Sequence, residues 1–274
     1  MPTLSVSSFS LCRTLGATYP ALELTSGERT ATYPYGVGSM TLLDVPAAVA
    51  ALDIPNLEIV QYHFPRTDAV YLAELRGRLD AAGIALASLL LDAGDITAVD
   101  ASERAHVVAR LKDWIDVAAT LGARRVRVGA GDAAPDADGA VARSVAGLAE
   151  LAEYAAGRGM RLITENWRQL AMAPKTLVTI LEALDGRVGL CADFGNYRGV
   201  SKYDDLRLIL PRAETVHAKA SYLAAGQPDE ADFRRCLDLA RDAGFAGEYV
   251  LIFDGPGDER ASLRQLAQLV QPYL

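Results

Sequence analysis

The chain has 274 residues, is 51% hydrophobic and 23% charged, and carries a formal charge of −8. That balance fits an ordinary soluble globular protein able to bury a large core in a single domain, residues 1–274, and the acidic sign excludes a broad nucleic-acid footprint, because phosphate binding is driven by Lys and Arg. No apolar run reaches the roughly 18 residues of a membrane span, no basic segment with an apolar core opens the chain, and three cysteines at unrelated spacings (Cys12, Cys191 and Cys236) do not form a disulfide framework, so a cytoplasmic protein is expected.

Strand-like and helix-like segments alternate along the chain. Residues 4–11 read as a first, mixed strand, followed by a long stretch, 12–39, that is either a functional loop or hides short elements. Helical spacing returns over 45–52, with Asp44 as its cap, and 57–63 reads as the second strand. Asp68 starts a helix that ends at Gly83. The near-continuous apolar run 84–92 is a strand buried on both faces. Then come helix 102–121, strand 125–128, helix 140–156, strand 161–165, helix 175–184, strand 188–194, helix 203–210, strand 215–220, helix 229–243, strand 249–254 and a closing helix 258–270. Short strands alternating with helices of about 10–15 residues predict βαβ units and a parallel sheet. Eight such units predict a single (β/α)₈ TIM barrel. A doubly wound open sheet usually carries a glycine-rich phosphate loop after its first strand, and residues 10–16 show none.

Three runs at strand ends carry the chemistry: Thr164-Glu165-Asn166-Trp167, Ala192-Asp193-Phe194-Gly195-Asn196 and Val216-His217-Ala218-Lys219. In a barrel, the carboxyl ends of all strands meet on the face where active sites are built. Side chains alternate along a strand, so Glu165, Asp193, His217 and Asp254 share the inward face of four strands. Three carboxylates and one imidazole are ligands for a divalent metal, with Mn²⁺ expected first and Mg²⁺, Co²⁺ or Zn²⁺ as alternatives. Without a cation, so many carboxylates in an apolar cavity repel one another. Cys191, inside the sixth strand, is read as packing.

These runs resemble the xylose-isomerase-like family of sugar phosphate isomerases and epimerases, over nearly the whole chain and most clearly from Leu57 onward. The resemblance implies a (β/α)₈ barrel whose divalent metal is held by Glu, Asp, His and Glu, with the two glutamates as the proton-transfer pair on a ketose or keto-cyclitol. Glu165, Asp193 and His217 match the first three. The eighth strand departs from the pattern: Ile252-Phe253-Asp254-Gly255 puts Ile252 at the position of the liganding Glu, with Asp254 two residues on and on the same face. Asp254 is expected as the replacement ligand, or water and substrate fill its place, or the metal is weak or absent.

The expected activity is a metal-dependent isomerisation or epimerisation of a keto-sugar or related polyol through proton abstraction and an enediolate, with Glu165 as base and Asp254 and Lys219 as further catalytic groups. Elimination by a lyase or dehydratase is an alternative, as is a non-catalytic homologue that has lost the strand-eight ligand. Metal-dependent DNA repair on the same barrel needs more histidines and a basic groove. Substrate contacts are expected from His63, Asp92, Arg127, Trp167 and Asn196. The partners expected are a small sugar or polyol, with no nucleic acid and no membrane, and with homodimerisation open.

Overall fold

The structure, a computed structural model, describes residues 1–25 and 27–274. Eight parallel strands close into a barrel: β1 (Thr3–Ser7), β2 (Asn56–Val60), β3 (Ala85–Leu91), β4 (Arg125–Val128), β5 (Arg161–Glu165), β6 (Gly189–Asp193), β7 (Ala213–Lys219) and β8 (Glu248–Ile252), each paired with its sequence neighbours and β1 closing on β8. The helices are α1 (Val45–Ala50), α2 (Ala69–Ala82), α3 (Ala101–Leu121), α4 (Ala140–Ala156), α5 (Pro174–Ala183), α6 (Lys202–Ile209), α7 (Glu230–Asp242) and α8 (Glu259–Val270). The (β/α)₈ barrel expected from the sequence is therefore the fold found.

Local chemistry explains the helix limits. Asp68, Asp100, Asp229 and Asp258 each accept a bond from the backbone N–H three residues on, satisfying a donor that the first turn leaves free. Gly83 and Gly122 close α2 and α3 at φ +66° and +77°, a left-handed conformation that costs glycine little. The expected Asp44 cap is not formed. Its carboxylate accepts instead from the N–H and hydroxyl of Thr41, in the preceding turn. In α3, Val108, Leu111, Trp114, Ile115, Ala118 and Leu121 recur at three- and four-residue steps and are buried. Each such Val, Leu or Ile side chain stabilises the barrel by about 1.5–3 kcal/mol.

The stretch 12–39 does hide short elements. Cys12–Leu15 is one helical turn, and Thr18 and Thr32 bridge in antiparallel fashion. Ser26 lies outside the described residues. A buried Arg29 ties the stretch to the barrel, donating to the carbonyls of Gln61 and Phe64 and lying 4.9 Å over the Trp114 ring. The first two strands are shorter than expected, because residues 8–11 and 61–63 are turns. A two-stranded hairpin (Tyr222–Ala224 with Gln227–Pro228) follows β7. Among the described residues no helix is long and apolar enough to cross a membrane, and the three cysteines are free and buried.

The amino-terminal end of the barrel is sealed by charge. Glu248, at the start of β8, is 2% exposed and accepts from Arg125 at 2.8 Å and Arg124 at 3.2 Å. Removing a buried partner leaves the other charges uncompensated. Both arginines reach solvent, which softens the loss. Glu248→Ala is therefore expected to lower unfolding stability by about 2–3 kcal/mol, read from the urea midpoint, with Glu248→Gln losing less; a change under about 0.5 kcal/mol would show that the seal carries no stability.

Candidate active site

Strand register brings the donors together. Glu165 on β5 is level with Cys191 on β6, Asp193 with His217 on β7, and Lys219 with Ile252 on β8. The ladder between β6 and β7 shifts by one residue between Leu190 and Cys191, an irregularity of the kind that re-aims side chains near functional sites. The inward side chains at the carboxyl end surround a cavity of about 110 Å³, lined by Ser7, Phe9, Val60, Leu90, Asp92, Arg127, Glu165, Trp167, Asp193, Asn196, His217, Lys219 and Ile252.

His217 stands at the centre. Its Nε2 donates to Glu58 Oε2 at 3.0 Å, deep in the barrel. Its Nδ1 faces Asp193 Oδ2 at 3.6 Å and Glu165 Oε1 at 3.7 Å, too far for hydrogen bonds. Burial by itself pushes the imidazole pKa down, but Cys191, Glu165 and Asp193 around it outweigh burial and hold it well above the ordinary value. Among the described residues one group of three metal-type donors is drawn within 4.8 Å of one another: Glu165, Cys191 and His217.

Each carboxylate is held in place. Asn166 replaces a missing ladder step: its Oδ1 accepts from Asp193 N at 2.7 Å, and its Nδ2 donates to Asp193 O at 3.0 Å. Asp193 Oδ1 accepts from the N–H groups of Gly195 and Asn196 at 2.6 and 3.1 Å, leaving Oδ2 turned toward His217. Asn196 Nδ2 donates to Glu165 Oε1 at 2.9 Å. Burial would raise the Glu165 pKa, but the Arg127 guanidinium, with Nε 3.1 Å from Oε2, and His217 bring it to about 2. Arg127 Nη2 also lies 2.7 Å from Asp92, whose carboxyl is pushed up by burial against the pull of that arginine. Glu165 Oε2 and the Nε and Nη1 of Arg127 have no aligned hydrogen-bond partner. Trp167 stacks with Arg127, 5.0 Å from its ring, and is followed by Arg168 at φ +63°, an uncommon conformation for a non-glycine residue.

Thus Glu165, Asp193, His217, Lys219, Asp92, Arg127, Trp167 and Asn196 all meet at the cavity, and two expected residues do not. Asp254 is away from the cluster. β8 ends at Ile252, so the alternation that placed Asp254 inward no longer applies; the residue is half-exposed and pairs with Lys219 Nζ at 2.7 Å, facing a larger cleft of about 590 Å³ beside the cavity. Ile252 faces the cavity in its stead. His63 is buried behind the wall rather than in it, because the second strand stops at Val60. Its Nδ1 shares a hydrogen bond with the Ser8 hydroxyl at 2.8 Å, its Nε2 is 3.7 Å from Cys12 Sγ, and burial pushes its pKa down to about 3.

Two contributors escaped the sequence reading. Glu58 carried a usable signal: a single carboxylate within the apolar run Leu57-Glu58-Ile59-Val60 must find a partner if that strand is buried. Cys191 carried only its alternation with Asp193, which puts both on one face, and a strand cysteine is most often packing.

A closed parallel barrel with acids and an imidazole converging at its carboxyl-terminal mouth defines the class of TIM-barrel proteins with a metal-type site. The chain belongs to the xylose isomerase-like TIM barrel family, whose model matches residues 46–271. No curated protein matches it in sequence. Solved structures with the same fold include a xylose isomerase-like TIM barrel protein from Mycobacterium smegmatis in complex with magnesium (16% identity, TM-score 0.69, 98% of this chain and 95% of that one). A D-allulose 3-epimerase from Methylomonas sp. superposes over 100% of this chain and 98% of its own (16% identity, TM-score 0.70). An L-ribulose 3-epimerase does so over 100% and 93% (18% identity, TM-score 0.67). At these identities the likeness is one of fold.

Proposed function

We propose that the protein is a divalent-metal-dependent isomerase or epimerase of a small keto-sugar or related polyol. The observation that carries this reading is the aim of His217: its Nε2 is anchored on Glu58, while its Nδ1 is turned toward two carboxylate oxygens at 3.6 and 3.7 Å, an arrangement suited to a shared cation. The donor chemistry fits, and Glu165 Oε2, ion-paired with Arg127 but without an aligned hydrogen bond, adds a further acceptor. Glu165, Asp193 and His217 would hold the ion. When bound, it supplies Lewis-acid polarisation of a carbonyl and its neighbouring hydroxyl. Two sugar 3-epimerases and a magnesium-bound protein among the structures sharing the fold are consistent with this reading.

The residues divide the remaining work. Glu165 takes the proton from the carbon next to the carbonyl. Arg127 keeps it ionised, so it is a weak base and the reaction depends on a strongly acidified C–H bond. Lys219, steadied by Asp254 and 5.5 Å from the Phe9 ring, returns a proton to carbon or oxygen from the β7 side of the cavity. Trp167 and Phe9 offer apolar faces to a sugar ring, and Ile252 narrows the space.

The test is incubation of the metal-loaded protein with ketoses in D₂O. Deuterium at the carbon next to the carbonyl, with the carbon skeleton intact, is the expected result. An unsaturated carbonyl chromophore would point to elimination instead, and no incorporation across ketoses of four to six carbons would remove the catalytic reading.

A further inference from the structure

The donors around His217 include a sulfur. Cys191 Sγ lies with a Glu165 oxygen and a His217 nitrogen in the group whose members are all within 4.8 Å of one another. All three residues are buried, Cys191 completely. Asp193 is outside that group, with one of its oxygens already engaged by two backbone N–H donors. β8 provides no donor at this level, because Ile252 faces the cavity and Asp254 has turned to Lys219.

We propose that Cys191 is a metal ligand and that, with Glu165 and His217, it makes a mixed sulfur, oxygen and nitrogen site that selects Zn²⁺ or Co²⁺ over Mg²⁺ and Mn²⁺. This rests on the metal-dependent reading above. A thiolate is a soft ligand suited to zinc-like ions, whereas Mg²⁺ and Mn²⁺ favour carboxylate, carbonyl and water oxygens. Coordination removes the thiol proton, which passes to solvent as the ion enters. At zinc–sulfur and zinc–nitrogen bond lengths of about 2.3 and 2.0 Å, tetrahedral ligands sit roughly 3.5 Å apart. Side-chain movements of about an ångström within the present group are enough to reach that spacing. Cys191 lies two residues before Asp193 on the inward face of β6, one layer deeper in the barrel. An ion held by Cys191, Glu165 and His217 would still have Asp193 Oδ2, 3.6 Å from His217 Nδ1, within reach as a further ligand.

Cobalt separates this proposal from the reading beneath it. Metal-stripped protein is titrated with Co²⁺ and followed by absorption, the visible d–d bands reporting a bound ion and a near-ultraviolet thiolate-to-cobalt charge-transfer band reporting sulfur. Both signals are expected in the native protein. Cys191→Ser and Cys191→Ala are expected to keep the visible bands and lose the charge-transfer band, with the preference for Zn²⁺ over Mg²⁺ in competition reduced. Visible bands without charge transfer in the native protein would overturn the proposal and leave the metal reading standing. No cobalt binding at all would overturn both. The native spectrum decides the matter even where a variant fails to fold, which circular dichroism reports.

Discussion

Glu165→Gln is expected to lower kcat on the best ketose by about 10²–10⁴-fold, the usual contribution of a positioned base. The glutamine keeps the side chain's shape and can still meet Asn196, so the barrel should remain folded. It cannot take a proton. Arg127 loses one of the two carboxylates flanking it and keeps Asp92, so its charge stays compensated. Glu165 is also placed to bind the cation, so the comparison is made at saturating metal. Exchange of the substrate's α-hydrogen with solvent is the sharper readout, because a residue that only binds metal would shift the metal requirement and leave exchange intact once metal is saturating. A loss under about tenfold at saturating metal would take the base role away from Glu165.

The second large effect belongs to Glu58, which touches neither the cavity nor any substrate. It fixes the ring orientation of His217 by accepting from Nε2, so that Nδ1 is offered upward. Partners of this kind behind a liganding histidine are worth about 10–100-fold in metal affinity. Glu58→Ala is expected to lose that much, and Glu58→Gln to regain part of it because its amide oxygen still accepts the N–H. A merely structural role would lower the melting temperature of both variants without changing the metal affinity of the folded protein. Measuring the two quantities side by side, by thermal unfolding and metal titration, separates the cases.

Much of the site was legible in the sequence because strand periodicity is strict. Once Glu165, Asp193 and His217 were placed near the ends of parallel strands, alternation put them on one face, and the barrel has no other face on which to gather them. The same rule failed at Asp254 for a local reason. It holds only while the chain remains a strand, and Gly255-Pro256-Gly257 ends β8 two residues earlier than expected. His63 was misplaced in the same way, by a strand that becomes a turn after Val60. Arg127 and Asn196 were recognised as near the site, and Asn196 does meet Asp193, but that both of their side chains meet Glu165 was not legible. Which carboxylate an arginine meets depends on the stagger between strands rather than on spacing along the chain.

What the sequence determined alone was therefore the fold class and the identity of the acids and imidazole, both of which follow from short-range periodicity: apolar strands, amphipathic helices, capping aspartates and polar residues at strand ends. Tertiary structure decided how the donors are shared. Closing the barrel through β1 and β8 brought β2 and β7 to within three strands of each other, so that Glu58 could anchor His217 across the interior, 159 residues away. A one-residue shift in the β6–β7 ladder accompanies the arrival of the Cys191 sulfur beside Glu165 and His217. Contacts across a barrel are fixed by the register of several strands at once, and register is a cooperative property of the closed sheet rather than of any one segment.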